Sequence, residues 1–160
     1  MAITYEPIAT TTLSTTTASV TFSTISGSYT DLVLVINGTV SAGVAATLQF
    51  NGDTGSNYSQ TNLYGDGSSA GSGAQSSITF APAGSLGTTQ SNTIIQIMNY
   101  SNATTYKTVL SRGSNTTGFA IARVNLWRST SAITSIVCAL TSSADYNSGT
   151  MLTLYGIKAA

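Results

Sequence analysis

Histidine is absent from this chain of 160 residues, and cysteine occurs once, as Cys138. These two absences remove the zinc sites built on His and Cys and leave no partner for an internal disulfide. Cys138 lies in the apolar run Ile136-Val-Cys-Ala-Leu140 and reads as a small buried hydrophobe rather than a nucleophile. Charge is also scarce: five basic and five acidic residues make up 6% of the chain, against roughly 25% in an average globular domain. The five cations, Lys107, Arg112, Arg123, Arg128 and Lys158, are scattered, so no basic stripe follows a phosphate backbone and nucleic acid is not an expected partner. No apolar run approaches the ~20 residues that span a bilayer, so no membrane partner is expected. Residues 1–13 lack a cationic region followed by an apolar stretch, and no secretory leader is expected.

Helix formers are few, with one Glu and two Lys, and no window carries a 3.6-residue apolar stripe between caps. Period-two alternation recurs instead. Ala18, Val20 and Phe22 share one face of a half-buried strand, and Ala46, Leu48 and Phe50 share another. Residues 31–39 contain Leu-Val-Leu-Val-Ile without a break, which suits a central strand. Asn51-Gly-Asp-Thr-Gly-Ser-Asn57 is a loop of residues that accept positive φ or cap their own backbone. Residues 65–77, nearly all Gly, Ser, Ala and Gln, read as a long flexible loop, and residues 81–87 as a second irregular segment. Strand composition returns over 93–100, 106–110, 119–127, 133–140 and 151–157. In the 119–128 segment, Ala120, Ala122, Val124 and Leu126 form one face, while Arg123 and Asn125 lie with Phe119, Ile121 and Trp127 on the other.

About nine to eleven short strands predict an all-β chain, a single antiparallel β-sandwich or jelly roll over residues 1–160, with 1–13 as an N-terminal arm. A sandwich has edge strands, and two Lys and two Pro protect them little. Edges covered by neighbouring subunits would explain the omission. A surface of Ser, Thr, Asn, Gly and Tyr points the same way, to a homo-oligomer packed among its own copies.

Without histidine, acid–base chemistry would fall to Glu6, Asp31, Asp53, Asp66 and Asp145. Asp53 and Asp66 both sit in Gly-rich turns, where a turn-forming role is expected, and no enzymatic activity and no cofactor are expected. Asp53 and Asn57 are weak calcium candidates, since hard oxygen ligands on a short loop suit that ion; no other metal site is expected. Tyr58, Tyr64 and Asp66 could offer rings and a carboxylate to a glycan. For contacts between subunits, the candidates are Tyr5 and Ile8 in the arm, Arg123 and Trp127 on the mixed strand face, and Tyr155 and Lys158 near the C-terminus.

Three stretches carry a family likeness: Tyr5-Glu-Pro-Ile-Ala-Thr-Thr-Thr-Leu13, Leu48-Gln-Phe-Asn-Gly-Asp-Thr-Gly-Ser-Asn-Tyr-Ser59 and Leu152-Thr-Leu-Tyr-Gly-Ile-Lys-Ala-Ala160. With these motifs the chain resembles small β-rich structural proteins of tailed phages, including marine and cyanobacterial phages. That resemblance implies a virion protein without deciding which part of the particle it belongs to, and the outer surface is the expected place. The expected role is a capsid decoration or cement protein bound to the major capsid protein and to copies of itself. The alternative is a tail-fibre or receptor-binding module that recognises a host glycan.

Overall fold

The computed structural model describes residues 5–116 and 118–158. Alternating apolar residues become strands of two antiparallel sheets that share one core, the β-sandwich expected from the sequence. The large sheet runs β1 (Tyr5–Thr12), β12 (Met151–Ile157), β3 (Asp31–Gly38), β8 (Ser91–Met98), β9 (Lys107–Ser114), β10 (Ala120–Trp127), β5 (Tyr58–Gly65) and β6 (Ala70–Ile78). The small sheet runs β2 (Ser19–Phe22), β11 (Ile136–Leu140), β4 (Val44–Phe50) and β7 (Ala81–Leu86). Every strand pair is antiparallel. One 3-10 turn, Thr141–Ser143, is the only helical segment among the described residues.

The core lies between the inner faces. Leu32, Leu34 and Ile36 of β3, Leu152 and Leu154 of β12, and Ile95 and Ile97 of β8 meet Val20, Phe22, Leu48, Phe50, Ile136 and Cys138 of the small sheet. Cys138 is fully buried, and burial pushes its thiol well above the ordinary range, so it stays protonated. Three tyrosines are also fully buried: Tyr58, Tyr100 and Tyr146. Each hydroxyl finds a backbone carbonyl, on Asp53, Ser26 and Ala139 respectively, which removes the cost of an unpaired buried O–H. Lys107 is enclosed as well, its Nζ donating to the carbonyls of Thr105 at 2.6 Å and Thr130 at 3.2 Å.

The described part of the N-terminal arm is no arm. Residues 5–12 are β1, in register with β12 from Tyr5 opposite Ile157 to Thr12 opposite Met151; residues 1–4 lie outside the described residues. The expected flexible loop over 65–77 is likewise corrected. Asp66 Oδ1 accepts the backbone N–H groups of Ser68 at 2.9 Å and Ser69 at 2.6 Å, closing a tight turn, and β6 then pairs with β5. Ladder bonds come from the backbone, so a strand of Gly, Ser, Ala and Gln forms without apolar burial once β5 is there to pair with. Residues 81–86 form β7, where Ala81 and Ala83 bury completely and Asn125 Nδ2 donates to the Pro82 carbonyl at 3.0 Å.

The buried tyrosines set an alkaline limit. Burial, opposed by the Phe50 N–H and reinforced by the Asp53 charge, pushes the Tyr58 hydroxyl up to about 12; burial also raises Tyr100 and Tyr146. A folded-state pKa above the unfolded value of 10 means that the unfolded chain releases its protons first. The stabilisation is whole below pH 10 and is lost as pH rises through about 12. Lys107, lowered by burial, contributes the opposite slope, but only up to its ordinary 10.5. Thermal melts should therefore fall steeply above pH 10, while Tyr58→Phe should flatten that fall; an unchanged slope in the variant would remove Tyr58 as a cause.

Candidate functional site: the concave outer face of the large sheet

Strand β10 decides which surface is unusual. Its mixed face points inward, with Ile121, Asn125 and Trp127 buried, and its wholly apolar face points outward. Across the sheet Val124 lies opposite Leu110 of β9 and Thr61 of β5, while Ala122 lies opposite Arg112 and Leu63. Ile94 of β8 lies opposite Arg112 in turn. The result is an exposed apolar band of Leu63, Val124, Leu110 and Ile94, in which Leu63 is 64% and Val124 51% exposed. Contiguous exposure of this kind marks surfaces that meet another molecule, unlike single scattered apolar residues.

The band lines a hollow of about 340 Å³ that also takes in Val33 and Tyr5, so residues from β1 through β5 surround one concavity. A second hollow of about 540 Å³ adjoins it and shares Leu63, Ile94, Arg112 and Ala122. Arg112 brings the one guanidinium that borders both hollows, and it forms no ion pair among the described residues. The face is thus concave, apolar and weakly cationic. An all-apolar strand face reads as core in a sequence, and only the pairing of β10 between β9 and β5 reveals that it faces out.

Of the subunit-contact candidates, Tyr5 and Tyr155 remain accessible and pack edge to face at 6.5 Å. Lys158 pairs with Glu6 Oε2 at 2.7 Å beside the Tyr29 ring, and that hydrogen bond and charge raise its pKa. Ile8 is half-buried against the core. Trp127 and Arg123 are corrected. Trp127, 2% exposed, belongs to the core with Phe50 and Tyr58. Arg123 is half-buried on the inner face, donates to Gln60 Oε1 at 2.7 Å, and is lowered in pKa by desolvation. Trp127 is not placed to meet another subunit, and Arg123 borders the outside at the hollow of about 340 Å³, which it helps to line.

The Asn51–Asn57 loop has its own internal logic. Asp53 Oδ2 accepts Trp127 Nε1 at 2.7 Å, its Oδ1 accepts the Gly55 N–H at 2.9 Å, and Asn57 Nδ2 donates to both oxygens at 3.1 and 3.0 Å. Burial pushes the Asp53 carboxyl up, but the hydrogen bonds from Trp127, Asn57 and Gly55 outweigh it and hold the group below its usual range. These donors take both carboxylate oxygens, and Asn57 turns its amide nitrogen, not its oxygen, toward Asp53. The pair is a loop fastener, which corrects the calcium assignment. No cluster of three or more His, Cys, Asp or Glu occurs among the described residues.

The glycan candidates are not brought together. Tyr58 is fully buried, with its hydroxyl accepting the Phe50 N–H at 3.0 Å. Asp66 caps the β5–β6 turn. Tyr64 and Asp66 remain exposed, with the Tyr64 ring stacked on Phe119 at 5.8 Å.

No family model and no curated protein matches the chain. Among solved structures, it is similar to a mutant of the alginate lyase Aly36B in complex with alginate trisaccharide, at 11% identity and a TM-score of 0.36, over 93% of this chain and 80% of that one. That neighbour is an enzyme, whereas the expectation of a chain without enzymatic activity rested on missing residue types alone, and it is not maintained. The likeness is too low to extend the lyase's activity to this chain.

Proposed function

We propose that this chain is a structural protein of a tailed-phage virion that binds the outside of the head and stabilises it as a decoration or cement protein. The observation that carries this reading is the outward apolar face of β10, between β9 and β5 on the concave sheet. Its occupant is a raised surface of the major capsid protein. A contact with few charges to desolvate suits that role, because stripping water from unpaired charges is the costly part of burial. The family likeness of the 48–59 and 152–160 motifs points to the same particle.

Cryo-electron microscopy of particles tests the proposal: density for this chain on the head supports it, and density confined to the tail ends it. A paired test uses the Leu110→Lys, Val124→Lys double variant, which places two ammonium groups on the concave face. Retention on heads lacking the native chain should fall by at least about tenfold, equivalent to ~1.4 kcal/mol, with the melting temperature nearly unchanged. Undiminished retention would remove this face from the contact. The tail-fibre alternative loses the help of Tyr58 and Asp66, which the fold uses for itself, and the same micrographs decide between the two.

A further inference from the structure

A β-sandwich has four sheet edges, and three of them here are blunted. Edge strand β1 carries Pro7, a register shift between Pro7 and Ala9, and the Glu6–Lys158 ion pair. Edge strand β2 has only four residues. Edge strand β7 contains Pro82 and a left-handed Gly84 at φ +58°. These are the devices by which native proteins stop a sheet from adding foreign strands. The fourth edge, β6, is nine residues long and has no proline and no charge, and its register shift falls between the Gln60–Gln75 and Tyr58–Ile78 pairs, which leaves residues 70–75 regular.

The geometry of the β5–β6 hairpin tells which backbone groups are free. The Asp66 N–H donates to the Ser69 carbonyl at 3.1 Å, so Asp66 and Ser69 form a hydrogen-bonded pair. Bonded and non-bonded pairs alternate along an antiparallel ladder. Gly71 and Gly73, opposite Tyr64 and Asn62, therefore bond to β5, whereas Ala70, Ser72 and Ala74, opposite Gly65, Leu63 and Thr61, turn their N–H and C=O groups outward. Past them the edge closes, because Arg128 Nη1 donates to the Ser76 carbonyl at 3.0 Å.

We infer that β6 is a strand-addition site and that its occupant is β6 of a second copy, paired antiparallel about a two-fold axis at Ser72. In that register Ser72 faces Ser72 of the second copy, and Ala70 faces its Ala74. Each outward N–H meets a C=O, as any two-fold pairing of one edge with itself requires. Self-pairing is where charge matters most, because a charged residue near the axis would meet its own image; β6 has none. Pairing also carries the apolar band across the axis, since Leu63 lies beside Ser72. The inference gives the expected self-association a location. It is independent of attachment to a phage head.

Sedimentation velocity of the full chain, without particles, tests it over a wide concentration range. A concentration-dependent dimer is expected. Ala74→Pro removes one outward N–H without touching the β5 ladder, and Ser72→Lys sets two ammonium groups face to face. Both variants should sediment as monomers at concentrations where the native chain is dimeric, with native circular dichroism. A native chain that stays monomeric throughout, or a dimer that persists in both folded variants, would overturn the inference. If one variant fails to fold, the other decides. Loss of head binding with an intact dimer would count against the proposed function alone.

Discussion

Trp127→Ala should lower the free energy of unfolding by about 3–5 kcal/mol, the range for truncating a large buried aromatic. The indole sits 5.4 Å from Phe50 and 6.3 Å from Tyr58, centroid to centroid, so its removal opens a cavity at the meeting of β10, β4 and β5. It also takes away the 2.7 Å hydrogen bond to Asp53, the group that fastens the 51–57 loop. Urea unfolding followed by circular dichroism is the measurement, because Trp127 is the sole tryptophan and its fluorescence disappears with it. Trp127→Phe separates the two contributions. It keeps most of the ring and deletes the N–H, at about 1.5–3 kcal/mol for one hydrogen bond to a charged group, with Asn57 still donating to Asp53 Oδ2. Equal losses in both variants would mean that the hydrogen bond, not the ring, carries the effect.

Gly84→Ala should be comparably damaging for a different reason. Gly84 has φ +58°, where a side chain costs roughly 1–2 kcal/mol, and a Cβ there would press into the side chain of Thr93. Thr93 is completely buried and has no room to swing away. Strain and overlap together should exceed about 3 kcal/mol, which for a chain of this size lowers the melting temperature by about 10 °C. Thr93→Ala in the same chain should recover most of the steric part, since only the Cβ contact is kept, and leave the backbone part. Full recovery, or none, would show that only one of the two causes operates.

Alternation alone located most of the framework. The 31–39 and 46–50 segments, and the five C-terminal ones, became strands because their periodicity leaves an apolar face that only a second sheet can cover. Composition failed where the backbone rather than the side chains makes the structure. Residues 70–78 have nothing to bury, yet they pair because β5 presents a ladder. Face assignment failed for a related reason. Nothing within β10 says that Asn125 and Arg123 point inward, since the groups that receive them, the Pro82 carbonyl for Asn125 Nδ2 and Gln60 Oε1 for Arg123 Nη1, are distant in sequence, while Asn125 Oδ1 and Arg123 Nε stay buried without a partner among the described residues. The concave site was hidden because its apolar strip has the composition of a core. Asp53 and Asn57 were rightly read as a turn; their tie to Trp127, 74 positions away, was not visible locally.

The placement of β12 between β1 and β3 has a consequence for biosynthesis. During translation, β1 and β3 must wait with bare ladders until a strand more than a hundred residues later leaves the ribosome. The large sheet therefore closes late and through its most distant contacts, the circumstance that slows folding and leaves nascent chains open to mispairing. A chain with few charges and two prolines carries little that would keep such open edges from mispairing during that interval.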